Sequence, residues 1–435
     1  MAFRTLLTAL LLLPSLATAG DFFTLKGHGG PIKGIDVSPD GSRILTASFD
    51  YSVGLWQGGT PVWLEAHRAA ANTVRFVDSE HAVSAGDDYD IYLWDLNTGT
   101  GRRLGGHEGK IIALALSPDR RTVASASWDR TIGLWSLAGA PARFLKGHTG
   151  GVSDVVFSAD GARLYSASAD GTIRVWDVSS GAQTRLLLKG WFGVNTLILN
   201  EAAGWLAYGG VDGTIRVLEV ESGDLIADFT GERSPILAMA ADREFTTLAI
   251  GDGYGFIKVI DSAKWVVTED FRATLHGPVW ALRFSADGRN IHAGSLDDAM
   301  YSWPVASLGE HERMTRGELS FLKDPAEMSN GERQFQRKCS ICHALDPDGR
   351  RRAGPTLFGI FGRPAGSLVN YSYSPTLRNS DIIWDVGTID ALFDLGPDDF
   401  IPGSKMPMQR ITKAADREDL IAFLRRATAA SGGNR

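Results

Sequence analysis

A motif of about forty residues recurs along most of the chain, and it narrows the possible folds more than any other feature. The clearest unit is LKGHTGGVSDVVFSADGARLYSASADGTIRVWDV, residues 145–178, and three further segments repeat its pattern. Aligned on the apolar residue that closes each unit, the series runs Trp56, Trp94, Trp135, Trp176, Leu218, Ile260 and Trp303. The spacings are 38, 41, 41, 42, 42 and 43 residues, which makes seven units. Within a unit Val152–Phe157 alternates in polarity, Ser158-Ala159-Asp160-Gly161 marks a turn, and Leu164–Ser168 and Thr172–Trp176 follow as further strands. Three or four short antiparallel strands cannot protect their own edges, so seven such units require a closed ring. Fifty glycines, about 11% of the 435 residues, fit the many tight turns this needs.

The Gly-His pairs (Gly27-His28, Gly106-His107, Gly147-His148) and the Trp-Asp pairs (Trp94-Asp95, Trp176-Asp177) resemble those of the WD-repeat β-propeller family. The resemblance covers residues 22–305 and implies an all-β, seven-bladed propeller. Because the last unit ends at its third strand, Trp303, the stretch Asp21–Leu25 is expected to complete blade seven. Blades five and six are degenerate: Gly190-Trp191 replaces Gly-His, and Tyr254 stands where Asp50, Asp88, Asp129, Asp170, Asp212 and Asp297 stand elsewhere. The family pattern makes His28, His67, His107 and His148 hydrogen-bond partners of Asp50, Asp88, Asp129 and Asp170, a structural role rather than a metal site. The tryptophans read as blade packing.

Residues 1–19, MAFRTLLTALLLLPSLATA, carry a positive Arg4, an apolar run Leu6–Leu13 and a small-residue Ala17-Thr18-Ala19 end. This is the pattern of a cleaved export signal, with maturation expected near Gly20 in a periplasmic protein. No later segment has 18 or more consecutive apolar residues, so no integral membrane span is expected after cleavage. No cysteine lies near the cleavage point to carry a lipid. The domain expectation is therefore signal 1–19, propeller 20–305, linker 306–328 and a small all-α domain 329–435.

Two cysteines cannot staple a chain of this length, so a disulfide framework is excluded. Both fall in one motif, Cys339-Ser340-Ile341-Cys342-His343, after a predicted helix Ser329–Lys338 with Ser329 as its cap. Thiols at i and i+3 can form thioethers to both vinyl groups of a haem while the histidine ligates the iron. A thioredoxin-like motif would need a βαβ context, which is missing, and a structural zinc would want a second ligand pair downstream. A plain disulfide between the two remains an alternative. Met406 and Met408 are the only methionines after the motif and are the candidates for a second axial ligand.

Residues 329–427 resemble a class I cytochrome c of the mitochondrial and alphaproteobacterial type. The matching segments are Gly354–Arg363, Tyr371–Ser374, Trp384 and the Pro402-Gly403-Ser404-Lys405-Met406 loop. The resemblance implies one covalent haem c on Cys339 and Cys342, with His343 and Met406, rather than Met408, as axial ligands. It also implies that Pro355 buttresses His343 through its carbonyl and that Arg363, Tyr373 and Trp384 meet the propionates. Gly331 and Phe335 of the first helix should cross Leu420 and Phe423 of the last, Asp416–Arg426. Two departures stand out. Asp398 and Asp399 replace expected lysines, and Leu392 or Phe393 replaces a tyrosine near the methionine sulfur.

The formal charge of −7 makes general nucleic-acid binding unfavourable. It divides into 27 basic and 37 acidic residues over 20–318, against 16 and 14 over 319–435. Opposite signs would let the cytochrome dock on its own propeller, or let the propeller attract a separate basic partner. Random surface variation explains the split equally well. The expected function is single-electron transfer, not enzyme catalysis, with the propeller docking an unidentified redox protein. Rival expectations are a haem enzyme such as a peroxidase and a redox-sensing binding or assembly factor.

Overall fold

A computed structural model describes residues 20–429 apart from 232–233, 275–276, 309, 311–326, 348–350, 372 and 407–408. The signal call on 1–19, most of the linker call and Met408 lie outside the described residues. Seven four-stranded antiparallel sheets account for the repeats. In blade four the strands are Val152–Phe157, Arg163–Ser168, Thr172–Asp177 and Gln183–Lys189, which agrees with the expected boundaries to within a residue. The ring closes as expected. Strand Phe23–Lys26 pairs antiparallel with Ala299–Pro304, Phe23 opposite Ser302 and Lys26 opposite Ala299. One blade thus combines the two ends of the propeller sequence and has four strands like the other six.

Trp56, Trp94, Trp135, Trp176 and Trp303, with Leu218 and Ile260, are buried in the sheets. Each of the first four tryptophans ends a hydrogen-bonded chain. In blade four Trp176 Nε1 donates to Ser166 Oγ (2.8 Å), Ser166 Oγ meets His148 Nε2 (2.7 Å), and His148 Nδ1 donates to Asp170 Oδ2 (2.9 Å). Blades one to three repeat it through Thr46, Ser84 and Ser125, with His28–Asp50 at 3.0 Å, His67–Asp88 at 2.9 Å and His107–Asp129 at 2.8 Å. A carboxylate can only accept, so Nδ1 carries the proton toward it. Burial, set against the attraction of Asp129 and Asp170, holds His107 and His148 below the ordinary histidine pKa.

The two degenerate blades are regular four-stranded sheets. They lack the chain at two places together. The register positions of the linking hydroxyl carry Tyr208 in blade five and Ile250 in blade six, so the small serine or threonine hydroxyl that links tryptophan and histidine elsewhere is missing. In blade six Asp252 caps the turn instead, accepting from the amides of Tyr254 and Phe256 at 2.9 Å each. Trp191, in the histidine's place in blade five, is 99% exposed, and Trp128 is 58% exposed. These two tryptophans depart from the packing role expected of the rest.

The C-terminal region is helical: α1 (Asn330–Lys338), α2 (Pro375–Arg378), α3 (Val386–Leu395), α4 (Pro397–Phe400) and α5 (Ala414–Ala427). Ser329 caps α1 by accepting from the amide of Glu332. The first and last helices cross at Gly331, where a Cβ would overlap the carbonyl of Asp419. Phe335 and Phe423 pack beside the crossing with ring centroids 5.6 Å apart. Among the described residues no helix is long and apolar enough to cross a membrane.

The repeated hydroxyl is testable by itself. Ser166→Ala strands a buried N–H, Trp176 Nε1, and a buried acceptor, His148 Nε2. It should destabilise the propeller by about 2 kcal/mol, read from chemical or thermal denaturation.

Candidate functional site

Helix α1 runs into the cysteine motif without a break. The amide of Cys339 donates to Phe335 O (2.8 Å), and the amides of Cys342 and His343 both donate to Cys339 O (3.0 and 2.9 Å). This extra turn brings Cys339, Cys342 and His343 to the wall of one cleft, which encloses about 1140 Å³ of non-atom space including its open mouth. Cys339 is 3% exposed and Cys342 half-buried. Burial pushes their thiols up to about 12 and about 11. Reactive redox thiols are shifted the other way, so a thioredoxin-like role has no support here.

His343 is oriented by its neighbours. Its Nδ1 donates to the carbonyl of Pro355 at 2.7 Å, and a carbonyl can only accept, so Nε2 of the neutral ring keeps a free lone pair. Burial holds the ring below its ordinary pKa, which favours that neutral form. The strap bearing Pro355 is tied to the motif by Gly354 N to Cys342 O (2.7 Å) and Leu357 N to Ala344 O (2.8 Å). A Cβ on Gly354 would run into the His343 ring, so only glycine lets the strap pass this close. The expected Pro355 contact is therefore present in the protein itself.

Met406 is half-buried in the same apolar cluster and lines the same cleft. Leu392 and Phe393, at the position of the expected tyrosine, are buried and line it too. Arg363, Tyr373 and Trp384 also lie on the cleft wall. Arg363 already donates to Phe358 O (2.9 Å) and Thr356 O (2.7 Å), which fixes its guanidinium at the rim. The structure thus gathers all the sequence-predicted site residues around one cavity. Among the lining residues that were not foreseen, Tyr51 comes from propeller blade one. No distinguishing signal marks it in the sequence, since the same turn position holds Tyr89 in blade two and Arg130 in blade three.

An apolar cleft with two thiols, an oriented imidazole and a thioether is the donor set of a c-type haem protein. Comparisons with known proteins agree. The family described as "WD domain, G-beta repeat" matches residues 21–57, 100–136, 139–177 and 269–303. The "Cytochrome c" family matches residues 328–428. Cytochrome c of Sesamum indicum is 41% identical over 107 residues, which is 24% of this chain and 94% of that protein. A cytochrome c homolog of Rickettsia felis is 35% identical over 130 residues, 29% of this chain and 73% of that protein. Through its C-terminal region the chain belongs to the cytochrome c family, and haem c is its cofactor. The fold is a WD-repeat propeller joined to that cytochrome, a pairing that supports haem-based electron transfer beside a protein-interaction scaffold.

The strap is the sensitive point. Gly354→Ala should displace the His343 ring and cost about 1–3 kcal/mol of cytochrome stability, measured by thermal loss of the Soret band.

Proposed function

We propose that this is a periplasmic single-electron carrier in which Cys339 and Cys342 would hold the haem covalently and His343 and Met406 would ligate its iron. The observation that carries the reading is the His343 ring, pinned by Pro355 so that its Nε2 lone pair belongs to a cleft whose wall also bears Met406. When bound, the haem supplies a reversible ferric–ferrous couple. The chain's own residues do the rest. Pro355 fixes the tautomer and orientation of His343, which keeps its basicity toward a metal. Leu357, Ile360, Leu392 and Phe393 exclude water and keep the surroundings of low dielectric. Arg363, Tyr373 and Trp384 at the rim are suited to receive the propionates, Arg363 held there by its two carbonyl bonds.

If His343 and Met406 both ligate the iron, the chain would leave no open coordination site for a peroxide or other substrate. Electron transfer is thus favoured over peroxidase chemistry. The propeller is the partner-docking scaffold. Export through the residue 1–19 signal accords with a haem attached on the outer side of the membrane.

Two measurements test this. The oxidised protein should be low-spin with the weak long-wavelength band of an iron–thioether bond, and Met406→Ala should abolish that band. Met408→Ala should leave it. The Met406 variant should also lose a sizeable part of the roughly 0.8 V range over which axial ligands set haem potentials. A high-spin ferric haem in the wild type would sink the transfer reading. Separately, mass spectrometry of the exported protein should find a mature N-terminus near Gly20; an intact N-terminus in the cytoplasm would overturn the location.

A further inference from the structure

The cytochrome does not stand apart from the ring. Arg351 reaches across to blade one, where its guanidinium pairs with Glu65, lies 3.5 Å from Asp50 Oδ2 and sits 5.0 Å from the centroid of the Trp63 ring. Arg352 Nη1 donates to Gly29 O at 3.2 Å. At Gly29 the two backbones meet so closely that a Cβ would overlap the carbonyl of Arg351. From the other side, Tyr51 donates its hydroxyl to the carbonyl of Lys405 at 3.3 Å. The Tyr51 side chain is half-buried and lies on the wall of the haem cleft together with Cys342, Ala353 and Tyr371.

The φ of Tyr51 is +70°, in the left-handed region, as it is at the same repeat position in blades two and three (Tyr89, +68°; Arg130, +75°), where blades four and five carry Gly171 and Gly213. That backbone belongs to the repeat; what sets Tyr51 apart from Tyr89 and Arg130 is that its side chain lies on the cleft wall and its hydroxyl donates to Lys405 O. The contact also unites the two unlike charge balances, since basic Arg351 of the cytochrome meets acidic Asp50 and Glu65 of the propeller.

We propose that the propeller supplies the outer wall of the haem cleft: Tyr51 closes its mouth beside Cys342, and Arg351, gripped by Asp50, Glu65 and Trp63, holds that closure. The closed arrangement shields the cofactor from small solutes, and displacement of the propeller opens it. A polar cleft lined by Glu65, His67, Pro347, Asn370 and Lys405 runs beside the contact. This inference rests on the haem occupying the cleft; it does not depend on which residues complete its axial ligation.

The test uses the full-length holoprotein and four variants. Tyr51→Gly removes the wall while relieving the turn, so it folds. Arg351→Ala and Glu65→Arg cut the clamp from either side, Glu65 being an exposed residue. Tyr51→Phe keeps the ring. Three readouts are compared: Soret circular dichroism, the equilibrium reduction potential and the second-order rate of reduction by ascorbate. In the first three variants the Soret dichroism should change and the potential should fall, because admitted water favours the more charged ferric state. Ascorbate should react about tenfold faster, as expected if the closed arrangement outweighs the open one by that ratio. Tyr51→Phe should stay near wild type. All three readouts at wild-type values in Tyr51→Gly and Arg351→Ala would overturn the proposal. Loss of the iron–thioether band is a separate observation that bears on Met406 alone, so failure of the ligation reading is told apart from failure of the closure.

Discussion

The antiparallel pairing of Phe23–Lys26 with Ala299–Pro304 is the constraint on which the propeller rests. Each four-stranded sheet is too small to bury its own faces, so each depends on the sheets to either side. A ring with an open seam would leave blade seven with three strands and an exposed edge. Strand pairing across nearly three hundred residues completes that blade and fixes where the chain emerges. What emerges at once is Gly27-His28-Gly29, whose His28 anchors to Asp50 and whose Gly29 meets the cytochrome. The closing strand therefore places the very loop against which the second module rests.

The haem site shows a different economy. The propeller repeats one polar chain in four blades, and repetition is what a structural device looks like, since a ring needs the same restraint many times. The cytochrome builds its constellation once, from four stretches of sequence: the end of α1, the Gly354-Pro355 strap, the rim residues and the Met406 loop. Its rigidity comes from backbone ties between these stretches. Gly362 N donates to Trp384 O (2.7 Å), and Trp384 N to Arg363 O (3.0 Å), so two rim residues hold each other before any cofactor is considered. Preorganisation of this kind suits electron transfer, in which the surroundings should move little between oxidation states.

Much of this was legible in the sequence because it depends on local pattern. Period-two alternation and Asp-Gly turns marked the strands, and constant spacing gave the number of blades. The Cys-x-x-Cys-His motif named the cofactor, and Ser329 announced the start of α1. The serine and threonine link between tryptophan and histidine escaped because a hydroxyl inside a strand gives no signal of its own. Only the register, with Ser166 placed beside both rings, reveals its task. The same register explains why two blades lost their histidines and kept their shape. Their hydroxyl position became Tyr208 or Ile250, and packing alone suffices there.

Contact between modules was beyond sequence reasoning for a physical reason. Charge balance suggested attraction but named no residue, since long-range fields are sums over many side chains. Specificity resides in short contacts, and here they converge on Asp50. Its Oδ2 accepts from His28 Nδ1 (3.0 Å) and Gly29 N (2.8 Å) and faces Arg351 Nε at 3.5 Å. Burial alone would raise this carboxyl, yet His28, Ser52 and Gly29 hold it well below the usual carboxylate range. It is thus a fixed anion, prepared by the blade's internal chain before the cytochrome arrives. An arginine meeting such an anion gives up less entropy than one pairing with a mobile surface carboxylate. The repeat's structural device has been put to a second use in one blade, and the tyrosine that follows Asp50 is turned toward the haem cleft by that same anchored turn.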